Sequence, residues 1–160
     1  MTIRCLHRED QEAIKNILTA TEMFSAEEIA IAGELMQFYL DDPKQQDYEL
    51  FTSVDENGNV LGYVCIGPTP ATAGTFDLYW IAVQPSTQSR GVGTALLSFV
   101  EERLKKKEGR LLIAETSATQ KYERTRAFYE RKGFVQLARI HEYYKPGDDL
   151  IIYGKYLITT

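Results

Sequence analysis

Gln88-Ser89-Arg90-Gly91-Val92-Gly93-Thr94 follows the apolar run Ile81-Ala82-Val83 across a short polar stretch. A strand that ends, a loop, and two glycines opening a helix make a receptor for an anion. Glycines let the backbone approach a ligand closely. The first N–H groups of a helix have no partner within it, and the helix dipole adds to their pull on negative charge. Arg90 supplies a formal positive charge. Two rival phosphate motifs fail. A dinucleotide fingerprint needs a third glycine where Leu96 stands and a glycine almost directly after the strand, yet seven residues separate Val83 from Gly91. A Walker loop needs Gly-Lys-Ser/Thr, which does not occur. Taken alone, the two glycines read better as an ordinary flexible loop before a helix.

A second set lies further on, in Ala127-Phe128-Tyr129-Glu130-Arg131-Lys132-Gly133-Phe134. Phe128 and Tyr129 fit the apolar face of a helix that Gly133 ends. A tyrosine hydroxyl can also donate a proton to a leaving group. Asp77 lies six residues before Val83, and with a period of two it shares a strand face with Tyr79, Ile81 and Val83. It is either a solvated strand end or a base. Glu115, in Ala114-Glu115-Thr116-Ser117, is a second carboxylate candidate. Cys5 and Cys65 sit in apolar strand-like runs and read as buried thiols of a reducing compartment. Nothing pairs His7 or His141 with either thiol, as a cysteine nucleophile would require.

Gln88-Ser89-Arg90-Gly91-Val92-Gly93, with Ile81-Ala82-Val83 and Pro85 leading in, resembles the Q/R-x-x-G-x-G/A motif of the GNAT N-acetyltransferase superfamily. The helix ending in Tyr129, three residues, then Gly133-Phe134, is similar to that family's second motif. The resemblance implies that Gln88 to Thr94 cradle the pyrophosphate of coenzyme A. It implies that Ile81, Ala82 and Val83 pair with the pantetheine arm, with the N–H of Val83 stabilising an oxyanion. It implies that Phe128 touches coenzyme A and that Tyr129 is the general acid for the departing thiolate. Some members carry a glutamate at the position of Asp77. Aspartate is one methylene shorter, so a water relay is expected. The sequence departs where many members have asparagine and alanine: here stand Tyr122 and Thr125, and Tyr122, Arg124 and Arg126 become candidate contacts to coenzyme A, although a helical arginine is more often a solvated charge. The family's acceptor regions correspond to Thr21–Asp42 and Tyr143–Asp149.

The elements expected to position these residues follow from periodicity. Thr2–Leu6 reads as a strand, and Asp10–Ala20 as a helix with Ala13, Ile14, Ile17 and Leu18 on one face. Ser25 with Glu28 is a capping box opening a helix that Asp41-Asp42-Pro43 ends. Tyr48–Val54 and Val60–Ile66 form a hairpin around Asn57-Gly58. Phe76–Val83 is an apolar central strand. A helix over Gly93–Lys107 buries Leu96, Leu97, Val100 and Leu104. Strand Leu111–Thr116, helix Lys121–Lys132 and strands Val135–Tyr144 and Leu150–Leu157 complete the order β-α-α-β-β-β-α-β-α-β-β. This is an α/β chain around one mixed sheet. The resemblance adds a mostly antiparallel sheet flanked by helices, with splayed strands forming a coenzyme A cleft.

A chain of 160 residues fits a single domain over 1–160. With 44% apolar and 26% charged residues it has the balance of a globular protein, and an aromatic share of 11% argues against disorder. A net charge of −5 makes it a poor general binder of nucleic acid and suits a cationic substrate. No apolar run is long enough to cross a membrane, and Met1 to Asp10 lacks a signal-peptide segment. The expectation is a cytoplasmic enzyme that uses acetyl-coenzyme A, needs no metal, and acetylates a primary amine of a small molecule or amino acid. A homodimer is compatible with it. A protein N-terminus or lysine as acceptor, or a coenzyme A-binding module without catalysis, are the alternatives.

Overall fold

A computed structural model describes residues 1–157. The strands are β1 (Thr2–Cys5), β2 (Glu49–Val54), β3 (Val60–Pro68), β4 (Thr75–Val83), β5 (Leu111–Ser117), β6 (Val135–Lys145) and β7 (Asp148–Tyr156). The helices are α1 (Gln11–Ala20), α2 (Ala26–Asp41), α3 (Val92–Lys106) and α4 (Glu123–Arg131). The element order is the one read from periodicity. The strands hydrogen-bond in the order β1-β2-β3-β4-β5-β7-β6. β4 and β5 run parallel, while β1–β2, β2–β3, β5–β7 and β6–β7 are antiparallel. No helix among the described residues is long and apolar enough to cross a membrane.

The chain forms two compact units. The first holds Met1–Gly67 and Trp80–Glu102; the second holds Pro68–Tyr79 and the chain from Arg103 on. In the first, Ile14, Ile17 and Leu18 of α1 and Ala32 and Met36 of α2 are buried with Leu50, Tyr63, Cys65 and Ala82. These helical residues recur at three- and four-residue spacing, so one stripe of each helix is desolvated. The capping box forms as read: Ser25 N–H donates to Glu28 at 2.8 Å, and Glu28 N–H to the Ser25 hydroxyl at 3.1 Å. α1 begins one residue later than read, because a 3-10 turn takes Arg8–Asp10.

One expectation is corrected here. Cys65 is buried, but Cys5 is exposed. Cys5 belongs to β1, which is an edge of the sheet, and the side chains of a strand alternate between its faces. Burial pushes the Cys65 thiol far up, which makes it unreactive.

In the second unit, one face of β5 and β7 is buried. Leu112, Ala114 and Thr116 lie there with Ile151 and Tyr153. The other face carries Ile113, Glu115 and Ile152 and is more open. β6 is exposed along its whole length. It is an edge strand with register shifts at Gln136/Ala138 and Ile140/Lys145. Bulges and charges of this kind blunt an edge against further pairing. The hairpin is tighter than expected: β6 runs on to Lys145 and β7 starts at Asp148, leaving Pro146-Gly147 as the turn. Gly147 has φ +82, the left-handed value that follows proline in a type II turn.

Candidate functional site

The loop between β4 and α3 belongs to the first unit. Gln84 N–H donates to the Leu61 carbonyl at 2.8 Å, which fixes the end of β4. Pro85–Thr87 then form a 3-10 turn. Thr87 donates to the Gln84 carbonyl through both its N–H and its hydroxyl, each at 2.9 Å. Ser89 and Gly91 both sit at positive φ, +70 and +80. This double reversal swings the chain into α3, whose first helical bond is Ala95 N–H to the Gly91 carbonyl at 2.9 Å. By helix geometry the N–H groups of Val92, Gly93 and Thr94 are left to point out of the helix start. A Cβ on Gly91 would meet nothing within 4 Å. The glycine is thus required by its φ, and the space before it is open to a ligand.

The N–H of Arg90, a residue expected to help cradle an anion, is not free to do so. That group is taken: it donates to the Thr87 carbonyl at 3.2 Å. Only the exposed guanidinium of Arg90 remains to meet an anion. Ile81, Ala82 and Val83 form the last residues of β4, with Ala82 5% exposed. Gly62 on β3 explains how tightly this corner packs. A Cβ there would stand 2.7 Å from the Ala82 carbonyl and 3.3 Å from the Val92 and Leu96 side chains.

The other candidates belong to the second unit. α4 ends in a Schellman motif: Phe134 N–H donates to the Tyr129 carbonyl at 3.0 Å and Gly133 N–H to the Glu130 carbonyl at 3.1 Å, with Gly133 at φ +87. The hydrophobic contact that goes with this cap is Phe134 on Tyr129, ring centroids 5.2 Å apart. The ring of Tyr129 also meets Phe128 at 5.8 Å and Tyr153 at 5.9 Å. Tyr153 is fixed in turn by its hydroxyl, which donates to Glu130 at 2.9 Å. Burial drives the Tyr129 hydroxyl far above its ordinary value, and no hydrogen bond contributes to that shift. The hydroxyl is therefore a neutral O–H at physiological pH.

Asp77 stands opposite Ile113 in the β4–β5 ladder, and Glu115 is two residues further along β5. The two carboxylates thus share a sheet face. Tyr129 packs through Tyr153, which stands opposite Ala114, so it lies on the other face. The ladder runs from Thr75↔Leu111 to Leu78↔Ala114; Tyr79 and Glu115 come after it. Asp77 accepts a hydrogen bond from the Thr69 hydroxyl at 2.7 Å. Glu115 is exposed. Tyr122 is half-buried just before α4, with Lys121 Nζ 5.9 Å from its ring centroid. Phe128 is half-buried with Lys132 Nζ 5.9 Å from its ring.

Arg126, named with Arg124 and Tyr122 as a substitute contact to coenzyme A, has a structural role. Its guanidinium donates to the Ser117 and Thr119 carbonyls, at 2.8 and 2.7 Å, and ties α4 to the end of β5. The sequence offers no signal for this, since a helical arginine reads as a solvated charge.

A family model described as an acetyltransferase (GNAT) domain matches residues 47–136. A curated relative from Bacillus subtilis, an S-(2-succino)cysteine N-acetyltransferase, is 28% identical over 87 residues. That match spans 52% of this chain and 53% of the relative, so about half of each. A crystal structure from Desulfovibrio desulfuricans, titled a putative acetyltransferase of the GNAT family, is 40% identical with a TM-score of 0.94, covering 98% of this chain and 99% of that one. An aminoglycoside 6'-N-acetyltransferase crystallised with coenzyme A shares the fold at 16% identity and a TM-score of 0.77, covering 100% and 99% of the two chains.

Proposed function

The chain belongs to the GNAT acetyltransferase family, and from that premise we propose that residues 1–160 act as one enzyme that transfers the acetyl group of acetyl-coenzyme A to the primary amine of a small molecule or amino acid. The observation that carries the reading is the helix start after Gly91. Its open space and outward N–H groups suit a pyrophosphate. Gln88, Ser89, Arg90, Gly91, Val92, Gly93 and Thr94 would hold it there, Arg90 through its side chain. Ile81, Ala82 and Val83 offer a strand backbone to the pantetheine arm, and the N–H of Val83 is the donor for the oxyanion.

Acetyl-coenzyme A supplies a thioester. The amine nitrogen bonds to its carbonyl carbon, the carbon–sulfur bond breaks, and one proton must leave nitrogen while another reaches sulfur. Tyr129 is suited to give the second proton, since burial keeps its O–H intact. Asp77, held by Thr69, is suited to take the first through a water. Glu115 lies on the side of the base. A cytoplasmic setting belongs to the same proposal.

The test is acetyl-coenzyme A-dependent thiol release across a panel of amines, with acetyl-coenzyme A binding followed by calorimetry. Tight binding without release for any amine would leave a coenzyme A-binding module. No binding would remove the reading altogether.

A further inference from the structure

We propose that Arg126 and Tyr153 are positioning residues for the acid Tyr129. Arg126 ties down the turn of α4 before it and Tyr153, through Glu130, the residue after it, so that together they set where the Tyr129 hydroxyl stands. This rests on the acetyltransferase reading above.

The argument begins with the length of α4, nine residues. A helix that short is marginal in water by itself, so its place is decided by what it is tied to. Arg126, Tyr129 and Glu130 stand three and four positions apart, which puts them on one side of the helix. The first and last of the three are hydrogen-bonded to the sheet. Arg126 Nη1 donates to the Ser117 carbonyl at 2.8 Å and to the Thr119 carbonyl at 2.7 Å. That segment is itself held. The Thr119 N–H donates to the Ser117 hydroxyl at 3.0 Å, and the Ala118 N–H to the Asp149 carbonyl at 2.9 Å. The Ser117 hydroxyl donates to Asp148. At the other end, Glu130 accepts from the Tyr153 hydroxyl at 2.9 Å. Tyr153 is 2% exposed and pairs with Ala114 of β5 on one side and Gln136 of β6 on the other.

Tyr129 lies between these two ties and meets Phe134, Phe128 and Tyr153 through its ring. Apolar packing is non-directional, whereas a hydrogen bond fixes a distance and an angle. An acid has to stand within hydrogen-bond reach of the atom it protonates, and a misplacement of about 1 Å can cost roughly 10²-fold in rate. The bonds at Arg126 and Glu130 supply the accuracy that ring packing lacks. Filling the core does not account for them. Phenylalanine at 153 would fill the same space and bring no buried hydroxyl in need of a partner. The partner that Tyr153 does have is the residue next to Tyr129. A helical arginine with no task would keep its guanidinium in water; that of Arg126 turns onto two carbonyls one turn before Tyr129.

The experiment combines a double-mutant cycle with a view of the ring itself, on the full chain. Arg126→Met removes one tie and keeps the apolar stem. Glu130→Ala removes the other by changing an exposed side chain, so the fold is not at risk. Each should lower kcat roughly 10- to 100-fold and leave the KM for acetyl-coenzyme A unchanged. Tyr153→Phe should match Glu130→Ala, since both remove the same bond, and Arg126→Lys should recover part of the loss. In a Tyr129→Phe background the same substitutions should cost nothing further, because no hydroxyl is left to misplace. With tyrosine labelled at the ring carbon that bears the hydroxyl, the Tyr129 resonance is assigned by its loss in Tyr129→Phe. It should broaden or split in Arg126→Met and in Glu130→Ala. A resonance as sharp as in the wild type in both variants overturns the proposal. So does an equal loss of kcat with and without the Tyr129 hydroxyl, or a loss confined to KM. If the resonance broadens but no amine supports thiol release, the positioning of Tyr129 stands and the acetyl-transfer reading falls.

Discussion

Tyr129 combines deep burial with a hydroxyl that no hydrogen bond tunes. A phenol in that setting does little for folding beyond its ring. Tyr129→Phe should therefore leave the melting temperature nearly unchanged, since the ring and its contacts with Phe134 and Tyr153 are retained. If the O–H protonates the thiolate, kcat should fall roughly 10²- to 10⁴-fold with little change in acetyl-coenzyme A affinity. Steady-state kinetics at an undiminished rate would remove Tyr129 from the mechanism. Gly91→Val works the other way. With φ at +80, a β-branched residue is strained there, although its Cβ meets no protein atom within 4 Å. The side chain fills the space offered to the pyrophosphate. Calorimetry should show coenzyme A affinity reduced by roughly 10-fold or more, at a stability cost of about 1–2 kcal/mol; unchanged affinity would contradict the anion site. The loop-to-helix turn at Gly91 and the place of Tyr129 on the inner face of α4 are legible in the sequence, the first from glycine's backbone freedom and the second from helical spacing. The capture of the Arg90 N–H by Thr87 is not legible, because it depends on a 3-10 turn over Pro85–Thr87 that leaves no periodic pattern.

At the scale of elements, the spacing from Tyr129 to Gly133-Phe134 has a folding role as well as a chemical one. Gly133 makes the left-handed turn that lets Phe134 fold back onto Tyr129. The cap thereby fixes the ring proposed for catalysis. Gly133→Ala meets only the Lys155 side chain, at 3.5 Å, so its cost is conformational. The expected loss is about 1 kcal/mol, or roughly 2–4 °C in melting temperature for a chain of this size. Thermal unfolding checks it, and an unchanged or raised melting temperature would mean the cap contributes nothing. Strands and helices were readable because α1 and α3 repeat their apolar residues at helical spacing and β4 is a near-continuous apolar run. The short 3-10 turns at Arg8–Asp10 and Gln120–Tyr122 were missed, with only Asp10, Lys121 and Tyr122 read as parts of the neighbouring helices, since three residues carry no period. The bulges of β6 were invisible for a different reason. They are set by hydrogen bonds from Asp149, a residue that reads in sequence as ordinary turn chemistry.

For the molecule as a whole, stability should depend on pH through one carboxylate more than through its net charge. Asp10 is 3% exposed at the margin of the core that α1 and α2 form with β2 and β3. Arg4 donates to it at 2.6 and 3.0 Å, the His7 N–H at 2.8 Å and the Thr52 hydroxyl at 3.2 Å. Burial alone would raise its carboxyl; the hydrogen bonds and the charge of Arg4 outweigh burial and hold it below the ordinary value. A carboxyl depressed in the folded state stabilises the fold above its unfolded value, about 3.9, and that contribution disappears as pH falls through the folded value. Asp10→Asn leaves Arg4 partly buried without its counter-charge. At pH 7 it should cost about 2–4 kcal/mol. As pH falls below about 4 the unfolded chain takes up a proton on Asp10 before the folded protein does, so the difference between the two proteins should narrow. The exposed pair Arg8–Asp41, 2.9 Å apart, serves as the internal control. Arg8→Ala should leave stability nearly unchanged, because solvent screens both charges. Urea unfolding of the three proteins at pH 7 and at about pH 3.5 decides the matter. A difference between wild type and Asp10→Asn that stays constant across that range would show that Asp10 acts through shape and not through its charge.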